Sequence, residues 1–172
     1  MAKRLSLRDF QENLSARLLS AKRGETTPPM LGLLAGGRHW LLELPDSGEV
    51  VPLPPLSHVP LTQPWFAGMA NIRGGLHAVV DFAQFAGAPP TPRNERSRLL
   101  LVGAKHGINS ALLVESTLGL KPLNSLQAID IPADVPGVTW INAAYSDGQG
   151  TTWLHIALAD LLLDPTFLDI GL

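Results

Sequence analysis

Side chains able to do chemistry are few in this chain, and they are scattered. A metal centre would need clustered ligands, yet the five histidines, His39, His58, His77, His106 and His155, stand far apart. None sits at i, i+4 on a helix with a carboxylate, and His77 and His155 fall inside strand patterns, where a bonded core or edge imidazole is expected. Cysteine is absent, which removes disulfides, thiolate metal sites and thiol nucleophiles together. No G-x-S-x-G elbow or phosphate-cradling P-loop occurs, and Gly148-Gln149-Gly150 reads as a turn. No catalytic, cofactor-binding or metal-ligating residue is assigned. A small β-barrel hydrolase would need a nucleophile and a base brought together only by folding.

Recognition chemistry is concentrated instead between Leu61 and Phe85, in LTQPWFAGMANIRGGLHAVVDFAQF. Arg73 carries a planar five-donor fork suited to carboxylates. It either bonds nearby carbonyls or faces a partner, while Asn71 beside it tolerates a left-handed turn conformation. Trp65, in the turn Pro64-Trp65-Phe66, either caps the core or sits with Phe66 at an interface. Asp81 is a polar exception near the end of an apolar run and reads as structural, accepting bonds from a turn.

The elements that must position these residues are short strands. Gly74 and Gly75 permit a tight turn between a strand ending near Ile72 and a buried strand over Leu76–Phe82. Met30 to Glu43 reads as a hairpin about Gly36-Gly37. Pro52, Pro54, Pro55 and Pro60 bar a central strand and place that segment at an edge or loop. Further strands are expected over 98–102, 109–114, 118–123, 139–144 and 151–156, and a short helix over 157–163. Trp40, Trp140 and Trp153 alternate with aliphatic residues as core anchors. Over 6–22, Leu7, Phe10, Leu14 and Leu18 make a helical stripe, open to packing on its own barrel or docking a partner.

Composition agrees. The 172 residues suit one domain or two subdomains sharing a core. Sixteen glycines and fifteen prolines favour many short strands. Only 16% of residues are charged, and the −2 net charge leaves no broad basic face for nucleic acid. The basic start lacks the apolar run of a secretion signal, and no stretch is long enough for a membrane span. The expected location is cytoplasmic.

These motifs resemble the CheW-like domain family, adaptors of bacterial chemosensory arrays. Asn71-Ile72-Arg73-Gly74 is similar to the family's N-[LI]-R-G strand end, and Val79-Val80-Asp81-Phe82 to its V-[IV]-D-[LF] strand. VPLPPLSHVPLTQPWFAGMANIRG resembles the PilI-type branch, which serves twitching by type IV pili. Val114-Glu115 departs from the family's Val-Asp, keeping the carboxylate on a longer arm.

The resemblance spans roughly 28–165. It implies a mainly all-β fold of two SH3-like five-stranded β-barrel subdomains with a short C-terminal helix, and the N-terminal helix read from the 6–22 stripe lies outside the resemblance. Expected boundaries are 1–27 for helix and linker, 28–165 for the domain with a subdomain crossing near 87–97, and 166–172 for the tail. The implied function is a non-enzymatic adaptor between the helical tip of a methyl-accepting chemoreceptor and the regulatory domain of a CheA-like histidine kinase. Its arrays would sit at the inner membrane through partners. Glu49, Val50, Asn71, Arg73 and Gly74 would face the receptor. A swimming-chemotaxis adaptor is the alternative.

Overall fold

Apolar side chains alternate from face to face along the central strands, and that alternation sets the architecture. This computed structural model describes residues 28–172; the helix expected over 6–22 lies outside them. Strands β1 (Met30–Ala35) and β2 (Arg38–Glu43) form the expected hairpin, turning at Gly36 and Gly37 with φ of 60° and 71°. A 3-10 turn at Leu44–Asp46 passes the chain into a second sheet. That sheet holds β3 (Ser47–Pro52), β4 (Phe66–Ile72), β5 (Gly75–Asp81), β6 (Arg98–Val102) and β7 (Ser110–Val114), in the order β3-β6-β7-β5-β4. The chain returns at Glu115, whose amide donates to Leu34 O at 2.9 Å. Strands β8 (Ser116–Lys121), β9 (Gln127–Ile129), β10 (Ile141–Ser146) and β11 (Thr152–Ile156) complete the first sheet, ordered β8-β1-β2-β11-β10-β9. Among the described residues there are three short α-helices: α1 (Phe82–Phe85) after β5, α2 (Leu158–Leu163) after β11, and α3 (Pro165–Leu168) after α2.

Central strands are buried on both faces, but in different places. In β7, Leu112 and Val114 enter a core common to both sheets, whereas Ala111 and Leu113 join Ala70, Val79 and Leu99 in a smaller cluster. In β2, Trp40 and Leu42 enter the common core, while Leu41 joins Met30 and Trp153. Each sheet therefore keeps one cluster of its own and shares the largest with its neighbour. Burying each such side chain contributes about 1.5–3 kcal/mol. Trp40, Trp140 and Trp153 are the expected anchors, all nearly inaccessible.

Two expectations are corrected. The first sheet has six strands rather than five. The connector over 87–97 joins α1 to β6 inside the second sheet, so the crossings lie at Leu44–Asp46 and at Glu115. The reason is pairing: β2 lies parallel to β11, and β1 antiparallel to β8, so both chain ends build one sheet. The tail is also held. Phe167 is buried, Asp164 caps α3 by accepting from Thr166 N at 2.8 Å, and Thr62 bridges Gly171.

β3 is an edge strand, consistent with Pro52 at its end and the prolines that follow it. Beyond it the chain bends back, and Ser57 exchanges backbone hydrogen bonds of 2.8 and 2.9 Å with Met69 of β4. Gly68 makes the approach possible: a Cβ there would lie 2.5 Å from Ser57 O. Among the described residues no helix is long and apolar enough to cross a membrane.

Candidate functional site

The turn between β4 and β5 is built by three neighbours with different tasks. Arg73 and Gly74 occupy its two central positions with φ of 51° and 81°. Such a pair matches the right-handed twist of a hairpin. Asn71 remains in β4, and its Oδ1 accepts from Gly74 N at 3.0 Å. The left-handed residue is thus Arg73 and not Asn71, a conformation that costs an L-residue about 1–2 kcal/mol. Arg73 thus stands at the tip of the turn on a strained backbone.

Glu49 meets it from the other side. The pairing of β3 with β6 shifts register between Ser47 and Val50, leaving Gly48 and Glu49 as a bulge; bulges re-aim side chains. Val50 packs partly buried against the common core and anchors the strand. Glu49 is turned outward, its Oε1 2.6 Å from Arg73 Nη2. β3 and β4 end opposite edges of their sheet, so the pair spans from one edge to the other. The side chains are 77% exposed for Arg73 and 40% for Glu49. An exposed pair of this kind contributes at most about 1 kcal/mol. The structure therefore brings Glu49, Asn71, Arg73 and Gly74 together on one rim, while Val50 turns inward to the core.

Trp65 and Phe66 are not on that rim. They are 8% and 7% exposed and belong to the common core. Trp65 stacks on Phe167 at 6.4 Å and meets Phe85 edge-on at 5.1 Å, so it caps the core and the interface expectation is corrected. Leu76 was not anticipated. Register sets it opposite Asn71, and it is 58% exposed, an apolar surface beside the charged pair. Its signal in the sequence is weak, because a leucine in an apolar strand reads as core.

The remaining polar groups are engaged elsewhere. Asp81, buried, accepts from Gln84 N, Thr91 N and Thr91 Oγ1, the last two at 2.9 and 2.6 Å, and so ties α1 and the connector to β5. Asp46 takes Lys105 Nζ at 2.6 Å and His106 Nε2 at 3.0 Å. His77 Nδ1 lies 3.1 Å from Gly75 O, and His39 meets Trp153 edge-on. His155 Nδ1 lies 2.5 Å from Asn142 Oδ1, while its Nε2 is buried without a hydrogen-bond partner. Burial holds the His155 pKa below its ordinary value, against the opposing pull of Glu43 and Asp46. A cavity of about 390 Å³ lies beside Trp40, Trp140 and Leu154, with the Arg38–Asp134 ion pair of 2.7 Å in its lining. Among the described residues no group of three or more His, Asp and Glu side chains could hold a metal ion.

Fold and site together define a mainly β protein of two sheets around one shared core, presenting its charged groups on turns and strand edges. The chain belongs to the CheW-like domain family, whose model matches residues 29–165. It is 26% identical to Protein PilI of Pseudomonas aeruginosa over 144 residues, covering 82% of this chain and 79% of that protein. The scaffolding protein TtCheW of Thermoanaerobacter tengcongensis shares the fold, with a TM-score of 0.67 at 18% identity over 83% of this chain and 97% of that one.

Proposed function

We propose that this chain is a non-enzymatic adaptor of a chemosensory pathway that controls twitching by type IV pili, joining a methyl-accepting chemoreceptor to a CheA-like histidine kinase. The observation that carries this reading is the likeness to PilI, which runs along most of both chains inside a family match of 29–165. Each sheet is read as one SH3-like barrel. The Ser57–Met69 bridge, joining the segment that follows edge strand β3 to the opposite edge strand β4, supports closure there. The adaptor works in the cytoplasm and reaches the inner-membrane array through its partners.

The mechanism is coupling by differential contact. A receptor's conformational bias reaches the kinase only if the adaptor binds the two receptor states unequally. The rim of Glu49, Asn71, Arg73 and Gly74 receives the receptor tip, with Leu76 adding apolar area. Glu49 occupies Nη2 of Arg73, and a guanidinium has five donors, so an incoming carboxylate shares or replaces Glu49. The kinase regulatory domain takes other surfaces, burying about 800 Å² or less per partner.

Titration of the full chain against receptor-tip and kinase-regulatory constructs tests the reading. Binding to both, with the two partners held at once, is the expected result. Failure to bind the receptor tip overturns it. Deletion in the source bacterium separates the outputs: loss of twitching with normal swimming is expected, and the reverse assigns the chain to swimming chemotaxis.

A further inference from the structure

The C-terminal surface carries an apolar patch that neither the fold nor the adaptor reading uses. Leu163, Leu168 and Leu172 are 73%, 59% and 82% exposed, and Leu61 is 79% exposed. Leu61 and the tail are neighbours: Leu172 N donates to Leu61 O at 3.1 Å, and Gln63 N to Ile170 O at 2.8 Å. In such antiparallel pairing, opposed residues share a face, so Leu61, Leu172 and Ile170 lie together. Leu61 is, with Arg73, one of two non-glycine residues of positive φ among the described residues. Strain of this kind persists where the surroundings hold it. Here it is kept at an exposed leucine.

We infer that this patch is the intramolecular dock of the chain's own N-terminal segment, residues 6–22. Position comes first. The described chain begins beside Leu44, whose amide donates to Pro29 O at 2.9 Å. Leu42 pairs with Ile156 in a parallel ladder, so β2 and β11 finish at the same end of the sheet, and α2 starts two residues after Ile156. A helix over 6–22 would be about 25 Å long, and the residues between it and Pro28 span up to about 17 Å, which suffices to reach α2 and the tail.

Charge and pattern agree with position. Residues 157–172 contain Asp160, Asp164 and Asp169 and no Lys, Arg or His, while residues 1–25 contain six basic and three acidic side chains. The stripe Leu7, Phe10, Leu14 and Leu18 matches the leucines of the patch, and at helical spacing Arg17 and Lys22 flank that stripe on opposite sides. Asp160 and Asp169 are exposed and available to such cations.

Because the chain has no cysteine, disulfide trapping reports the dock cleanly. The full-length double variant Leu14→Cys with Leu168→Cys is oxidised mildly and compared with Leu14→Cys with Glu95→Cys. Glu95 sits in the connector that flanks Leu34, at the end of β1 remote from Pro29. Intrachain bonding about tenfold faster than the control is expected, as a high effective concentration dictates. Bonding at the control rate, or bonding only between chains, overturns the dock, the latter in favour of a second copy. An independent readout needs no cysteine. With Leu163→Asp and Leu172→Asp together, both at exposed sites, amide exchange over residues 7–18 rises about tenfold if the segment is docked. Unchanged exchange in a folded variant also overturns the proposal.

Discussion

Arg73 and Glu49 form an ion pair of 2.6 Å between a strained turn and a bulged strand at the far edge of the same sheet. The pair is exposed, so it adds little to stability; under the proposed function Arg73 meets a receptor carboxylate. Arg73→Ala is expected to weaken receptor-tip binding by about 2–4 kcal/mol, because the partner's carboxylate is left unpaired. Arg73→Lys recovers little, since an ammonium lacks the bidentate fork. Titration against the receptor tip, with the kinase domain as an unaffected reference, measures both. Unchanged receptor affinity in a folded Arg73→Ala protein removes the residue from the site.

Arg73→Gly separates folding from binding at the same position. Glycine enters the left-handed region freely, so this variant is expected to be more stable by about 1 kcal/mol while still losing the receptor. Denaturant midpoints beside the binding titration read the two effects. A lower midpoint would show that the backbone at Arg73 is not strained.

Gly68→Ala tests the closure of the second sheet. Its φ is 129° and the added methyl would strike Ser57 O, so a loss of about 2 kcal/mol or more is expected. Urea denaturation measures it, and faster amide exchange at Ser57 and Met69 should accompany the loss. A neutral substitution would mean that the Ser57–Met69 bridge yields easily.

Asp81 anchors α1 and the connector with three accepted hydrogen bonds from within the core. Asp81→Ala leaves the Thr91 amide and hydroxyl unpaired in buried surroundings. The expected loss is about 2–4 kcal/mol, with Thr91→Val costing about 1–2 kcal/mol. Additive losses in the double variant would contradict the shared network, because residues in one network couple.

His155 makes stability depend on pH in one direction. Its folded pKa lies below the ordinary 6.5, chiefly because burial disfavours the imidazolium. The unfolded chain therefore binds the proton more readily. The His155 contribution is complete above pH 6.5 and declines as pH falls through 6.5 toward the folded value. Denaturation midpoints between about pH 8 and about pH 5.5 should show this slope, and His155→Gln should flatten it. An equal slope in the variant would assign the dependence to other groups.

Local turn chemistry was legible because it depends on adjacent residues. Gly36-Gly37 marked the first hairpin and Ile72 to Gly75 the second, while the proline run marked an edge strand. Asp81 reads as structural from its place at the end of an apolar run, and its partner Thr91 lies ten residues on. Some elements leave no mark in the sequence: α1 and α3 are four residues long and β9 three, too short for a hydrophobic period to register. Even within the signature turn, the sequence did not say which residue would be left-handed, since asparagine is the commoner choice.

By itself, then, the sequence determined the strand-rich character, the hairpin positions and the resemblance that placed Arg73 and Glu49 on one rim. Only the tertiary structure decided which strands share a sheet, where the chain crosses between sheets, and that Trp65 and Phe66 face inward. The physical reason is the double burial of strands such as β7, where Ala111 and Leu113 face one cluster and Leu112 and Val114 another. A continuous apolar run states that both faces are covered. It carries no mark of what covers each, and that is settled by partners from distant parts of the chain.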